Sequence, residues 1–189
     1  MNLPNKLTVL RILLIPLVLI FLIPIQPGKL LLPVSIESGR VAAAVVFVLA
    51  SLTDMLDGAI ARKRNCVTTL GKFLDPIADK LLVVSSLIAL VQTGDVSAWA
   101  VTVIIAREFI VTGIRILAAN DGVVIAASLP AKIKTFTQMA AIVVIMLDNF
   151  PFSLFTKLPI GQILLWIAVI LTAYSGYDYL RANIDRIRG

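Results

Sequence analysis

Four aspartates lie close together in an otherwise apolar part of the chain. Asp54 and Asp57 come first, and Asp75 and Asp79 follow across a connection rich in basic residues. Residues three or four apart share a face of a helix, so each pair projects as a unit. A short connection makes the two segments antiparallel neighbours, and the pairs can then face one another. Four carboxylates crowded into a low-dielectric site repel one another and resist ionisation. Two divalent cations would balance their formal charge, and oxygen donors suit hard ions, Mg²⁺ or Mn²⁺. A paired-metal site suits in-line displacement at phosphorus, because it stabilises both the entering and the leaving oxygen. Gly58 and Ala61 fall on the face of the first pair, where small side chains leave room for a ligand or close packing. Arg62 adds a fixed positive charge for a phosphate. Helix capping, or pairing with Arg62, Lys72 and Lys80, would account for any one of these acids. It does not account for four at this spacing.

The elements that position them must be membrane helices. The chain has 189 residues, of which 59% are hydrophobic and 15% charged, against about a quarter charged in a soluble domain. One cysteine, Cys66, and the lack of histidine exclude an intrachain disulfide and Cys/His zinc sites. They also leave carboxylates as the main candidates for a general base. A net charge of +6 fits basic residues on a cytoplasmic face beside anionic lipid better than it fits nucleic acid. Length and the lack of any linker or repeat point to a single domain over residues 1–189.

Six spans of about 20 residues each are predicted: Leu7–Ile25, Val41–Ala61, Leu70–Val91, Ala98–Ala118, Ala131–Leu147 and Pro159–Leu180. Prolines 24, 27 and 33 break the first connection, Gly94 and Asp95 mark another, and Asn149 with Pro151 a third. The apolar run after Lys6 and Arg11 has no small-residue cleavage site and reads as a retained first helix. Lysine and arginine sort onto alternate connections. Lys29, Arg40 and Lys157 fall on one side; both ends of the chain and nearly all other basic residues fall on the other, which is therefore cytoplasmic. Asp54, Asp57, Asp75, Asp79, Lys80, Arg107, Glu108, Arg115, Lys132 and Lys134 all come to the cytoplasmic ends of helices. Charges in a membrane are costly and mark function, so their convergence predicts one polar cavity open to the cytoplasm. A metal transporter would need a matching set of acids in the outer half, and none is present.

The arrangement Asp-x2-Asp-Gly-x2-Ala-Arg-x8-Gly-x3-Asp-x3-Asp, complete from Asp54 to Asp79, resembles the signature of the CDP-alcohol phosphotransferase family. The resemblance continues through Asn2–Thr8 with Arg11, through Arg107-Glu108 with Thr112 and Arg115, and through Lys132, Lys134, Thr135 and Gln138. These flanks are similar to the bacterial branch that acts on CDP-diacylglycerol and glycerol 3-phosphate. The resemblance implies six transmembrane helices, usually in a homodimer in the plasma membrane. It implies that Asp54, Asp57, Asp75 and Asp79 ligate the metals and that Asp79 is the catalytic base. It further implies that Asp54, Gly58, Ala61, Arg62 and Gly71 contact or make space for the CDP part of the lipid.

Serine is zwitterionic and has less need of the basic residues than glycerol 3-phosphate; inositol phosphate or a second phospholipid are the other acceptors to weigh. Arg107, Arg115, Lys132 and Lys134, at adjoining helix ends, can hold a phosphate or can be ordinary positive-inside residues. Arg107 and Arg115 are roughly 80° apart around a helix and can reach one cavity, whereas Lys132 and Lys134 differ by roughly 200°. Only an irregular start after Pro130 would bring both lysines inward. Asn5, Thr8 and Arg11 form a polar stripe that either lines the nucleotide or head-group site or belongs to a short interfacial N-terminal segment. Glu108 reads as the partner of an arginine, and Trp99, Trp166, Tyr174, Tyr177 and Tyr179 as interface anchors and packing.

Overall fold

A computed structural model describes residues 3–24, 34–64, 69–120 and 129–182. Within its helices, the side chains of 3–7, 54–64, 69–76, 79, 117, 119, 120, 129–132 and 182 lie outside that description. Six helices account for nearly all of it: α1 (Leu3–Leu22), α2 (Ile36–Arg64), α3 (Thr69–Gln92), α4 (Ala98–Asn120), α5 (Leu129–Met146) and α6 (Ile160–Ala182). Each predicted span overlaps one helix, though Ile25, the last residue of the first span, lies outside the described residues. The observed α2 starts earlier than expected because Ser35 caps it, its hydroxyl accepting the Ser38 N–H at 3.2 Å.

The helix ends explain the tight connections. After α3 the chain turns through Gly94 at φ +83, where the Gly94 and Asp95 N–H groups return to Val91 and Leu90 carbonyls. This is a Schellman closure, and its left-handed residue favours glycine. After α5 the left-handed positions are Asp148 and Asn149, types that tolerate them. The Asn149 amide then donates to the Leu158 carbonyl at 2.6 Å and its oxygen accepts the Gly161 N–H at 2.9 Å, joining the end of α5 to the start of α6.

One polar knot ties four elements at this end of the bundle. Arg40 of α2 donates to Asp95 at 2.9 Å and to the last carbonyls of α5, Ile145 at 2.7 Å and Met146 at 3.1 Å. A cation there complements the negative end of the helix dipole. The Thr93 hydroxyl donates to the same Asp95 carboxylate at 2.6 Å, and Gln162 of α6 donates to the Asp95 carbonyl. Asp54 lies fourteen residues along α2 from Arg40, about 21 Å away at the opposite end.

Between the two ends lies an apolar core built on Phe47, Leu82, Leu90, Ile104, Ile142 and Leu165, all fully buried. α1 packs along both α2 and α3, and α5 along α6. The exterior is also apolar: Leu13, Leu49, Ile88, Phe109, Phe136 and Ile170 are all exposed. Such a surface is stable against lipid and not against water. Ile36–Thr53 and Ile160–Arg181 are long and apolar enough to cross a membrane by length and composition. Among the described residues, Thr8–Leu22, Lys80–Gln92 and Ile133–Met146 are shorter apolar helical stretches.

A Cβ on Gly161 would meet Ile145 Cγ1 at 2.7 Å and the Ile145 backbone nitrogen at 3.2 Å. Gly161→Ala should therefore destabilise the α5–α6 hairpin by about 1–3 kcal/mol, read as a lower Tm in detergent.

Candidate active site

The inward stripe of each helix is apolar through the middle of the bundle and turns polar at the aspartate end. On α1, Leu22, Val18 and Ile15 lead to Arg11 and Thr8, both 0% exposed. This part of the stripe lies inside the bundle and not at its interface, which favours the site-lining reading of Thr8. On α2 the inward stripe carries buried Ala43, Phe47 and Ala50, and on α3 it carries Leu82 and Ser86. On α5, Ala141 and Ile145 give way to Gln138 and Lys134, which are 4% and 3% exposed. On α6, Leu165 and Ala168 give way to buried Thr172 and Ser175.

The described part of this layer centres on Glu108 of α4. Its carboxylate pairs with Lys134 of α5 and, at 3.3 Å, with Arg107 beside it. Arg107 also donates to the Ser175 hydroxyl of α6 at 2.7 Å, while its buried Nε has no partner among the described residues. Gly176 makes room for the arginine stem: a Cβ there would meet Arg107 Cγ at 2.8 Å. One turn along α4, the Thr112 hydroxyl donates to the Glu108 carbonyl at 2.6 Å and accepts from Lys80 of α3. Three cations thus surround one carboxylate. Breaking such a buried pair by removing one partner costs more than the pair contributes.

Lys134 faces inward, as its separation from Lys132 allows. Exposed Arg115 instead donates to the Tyr179 hydroxyl at 3.4 Å and places its guanidinium 5.7 Å from that ring's centre. Arg107 and Arg115 therefore both engage α6, and only Arg107 joins Lys134 on Glu108. The side chains of Asn5, Asp54, Asp57, Gly58, Ala61, Arg62, Gly71, Asp75, Asp79 and Lys132 lie outside the described residues. Among the described residues no group of three or more acidic, histidine or cysteine side chains could hold a metal. Sequence reasoning left Lys80 as a partner for the aspartates and gave Ser175 and Gly176 no role. Their signal was a lysine directly after Asp79 and two small residues in register beside Tyr177.

A profile of the CDP-alcohol phosphatidyltransferase family matches residues 1–174. The chain belongs to that family. A Bacillus subtilis (strain 168) relative named CDP-diacylglycerol–glycerol-3-phosphate 3-phosphatidyltransferase is 47% identical over 189 residues, covering 99% of this chain and 97% of its own. A Rickettsia bellii (strain RML369-C) relative of the same name is 42% identical over 96% of this chain and 94% of its own. A Mycobacterium tuberculosis relative named probable phosphatidylglycerophosphate synthase is 36% identical over 100% of this chain and 84% of its own. As a CDP-alcohol phosphatidyltransferase the protein is a transferase, and its family works with divalent cations. Family and apolar spans together make it a membrane protein.

Gly176→Ala should displace Arg107 and lower kcat/KM for phosphatidyl transfer by roughly tenfold, or about 1.4 kcal/mol. Ser175→Ala removes a single hydrogen-bond partner and should lower it less. Initial rates of CMP release check both.

Proposed function

We propose that this protein transfers the phosphatidyl group of CDP-diacylglycerol to glycerol 3-phosphate, giving phosphatidylglycerophosphate and CMP. What carries the reading is similarity over essentially the whole chain, at 36–47% identity, to relatives named for this product or reaction. In this reading the chain is one domain with six membrane spans in a bacterial plasma membrane, and it works as a homodimer. Both termini and the polar end of the bundle face the cytoplasm, the side that the lysines and arginines favour.

Asp54, Asp57, Asp75 and Asp79 would hold two divalent cations, Mg²⁺ or Mn²⁺. When bound, these supply positive charge to the phosphate oxygens of the donor. Asn5, Thr8, Asp54, Gly58, Ala61, Arg62 and Gly71 form the donor site, with the acyl chains of the donor lying in the membrane. Arg107 and Lys134 hold the phosphate of the acceptor, with Arg115 and Lys132 as outer members of that set. Asp79 takes the proton from the primary hydroxyl of glycerol 3-phosphate. The freed oxygen forms a bond to the phosphorus that carries diacylglycerol, and the bond from that phosphorus to the bridging oxygen of the pyrophosphate breaks. CMP leaves with the bridging oxygen. Direct displacement suffices, because no histidine or paired cysteine offers a covalent nucleophile.

The test is purified protein in mild detergent with CDP-diacylglycerol, Mg²⁺ and labelled glycerol 3-phosphate. Labelled lipid and CMP should form in equal amounts, fall by roughly 10²–10⁴-fold in Asp79→Asn, and cease with a chelator. CMP release only with another alcohol would overturn the acceptor. No release with any alcohol, from protein that still binds divalent metal, would overturn the reaction.

A further inference from the structure

The connection between α5 and α6 turns its apolar side chains outward. Phe150, Phe152, Leu154, Phe155 and Leu158 are all exposed, Leu154 at 68% and Phe155 at 87%. The short 3₁₀ turn at Phe152–Leu154 buries none of its residues. In water such a run of large apolar groups would fold inward or stay a costly exposed patch. The backbone, by contrast, is satisfied from within. The N–H groups of Ser153, Leu154, Phe155 and Thr156 donate to carbonyls of the same connection at 2.9–3.1 Å. The Leu158 N–H donates to the Thr156 hydroxyl at 3.1 Å, and the Leu158 carbonyl accepts from both the Ile160 N–H and the Asn149 amide. Polar groups paired internally and apolar groups facing out suit a surrounding poor in water.

Two observations select lipid over a protein partner. The segment continues the exposed apolar surface of α6, which carries Ile163, Trp166 and Ile170 along the bundle. Its charge is one exposed lysine, Lys157, and no acid occurs from Phe150 to Ile160. Lysine is depleted in the cores of protein interfaces, whereas aromatic rings beside a lysine are typical of segments at a bilayer surface. Trp99, 79% exposed, extends the aromatic band to α4. It lies four residues after Asp95, whose carbonyl accepts from Gln162 in the first turn of α6.

We propose that the α5–α6 connection lies flat in the membrane interface at the end of the bundle away from the aspartates. The partner is the phospholipid surface: the rings and leucines enter the region just below the headgroups, and Lys157 reaches the lipid phosphates. Asn149 ties the connection to both helices, donating to the Val144 carbonyl of α5 and accepting the Gly161 N–H of α6. Holding the connection at the interface therefore fixes both helices along the membrane normal. Lys134 lies twelve residues before the end of α5 and Ser175 fifteen after the start of α6, about 18 and 22 Å inward. The anchor thus sets the depth of the polar layer at the far end. The inference goes beyond the proposed reaction and does not depend on it.

The experiment reads the depth of one fluorophore in the full chain, reconstituted at a high lipid-to-protein ratio. Trp99→Phe and Trp166→Phe remove both tryptophans, and Phe155→Trp or Leu154→Trp then places one probe on the connection. The vesicles are phosphatidylcholine and phosphatidylglycerol, with a nitroxide either high or low on the acyl chains; acrylamide reports access from water. Emission should lie to the blue of tryptophan in water, resist acrylamide, and be quenched more by the high nitroxide than by the low one. That pattern puts the ring about 5–10 Å into the headgroup–acyl boundary. Should the tryptophan-free protein not fold, an NBD group on Phe155→Cys in Cys66→Ser protein reads the same nitroxides.

Emission like that of tryptophan in water, quenched by acrylamide, makes the connection an aqueous loop and overturns the proposal. Blue emission that neither acrylamide nor either nitroxide quenches means that a protein covers the face, a second copy included, and overturns it too. Strongest quenching by the low nitroxide also overturns it, because the segment then enters the hydrocarbon and does not lie at its edge.

Discussion

A charged side chain in the hydrocarbon of a bilayer has no water to turn to, so it must face another part of the protein. That constraint organises the whole molecule. Arg40 and Asp95 meet at one end and satisfy both each other and the exposed carbonyls of α5. At the other end Arg11, Lys134, Arg107 and Glu108 lie on inward stripes, and lipid meets Leu13, Phe109 and Phe136 instead. Between the ends the stripes carry Phe47, Leu82, Ile104 and Ile142, which fill the bundle without polar groups.

The two ends differ in what their polar groups do. Arg40 is saturated by a carboxylate and two backbone carbonyls, and Asn149 spans the α5–α6 turn through both ends of its amide. These contacts join α2, α5 and the two turns to one another. Around Glu108, Lys134 and Arg107 pair with its carboxylate while Lys80 donates to the neighbouring Thr112. α3, α4 and α5 touch little there, and a recess remains.

Periodicity and punctuation made most of the fold legible. Every predicted span overlaps one helix, and Gly94, Asp95 and Asn149 do mark turns, because a left-handed residue or an Asx side chain is a local requirement. The order of neighbours was less legible. A short connection brings the ends of α2 and α3 together, yet α1 packs along both, since its stripe from Thr8 to Leu22 must be buried somewhere. At the site, spacing alone allowed Arg107 and Arg115 to share a cavity. It could not tell that Tyr179 would offer Arg115 a ring on an exposed face while Ser175 and Gly176 seated Arg107. Lys80 was hidden for a related reason: beside four aspartates it looked like their counter-ion, and only the approach of α4 shows that it also donates to Thr112. The aspartate motif was readable throughout, because its content lies in residue type and helical register.

The central claim is that the aspartate positions at the polar end of the bundle form one site for two divalent cations. The most direct measurement is Mn²⁺ titration of the purified protein by electron paramagnetic resonance, with Asp54→Asn and Asp79→Asn alongside. Two Mn²⁺ per chain should bind, close enough to show spin coupling, with the coupling lost in either variant. One uncoupled ion per chain, or coupling that survives both substitutions, would contradict it.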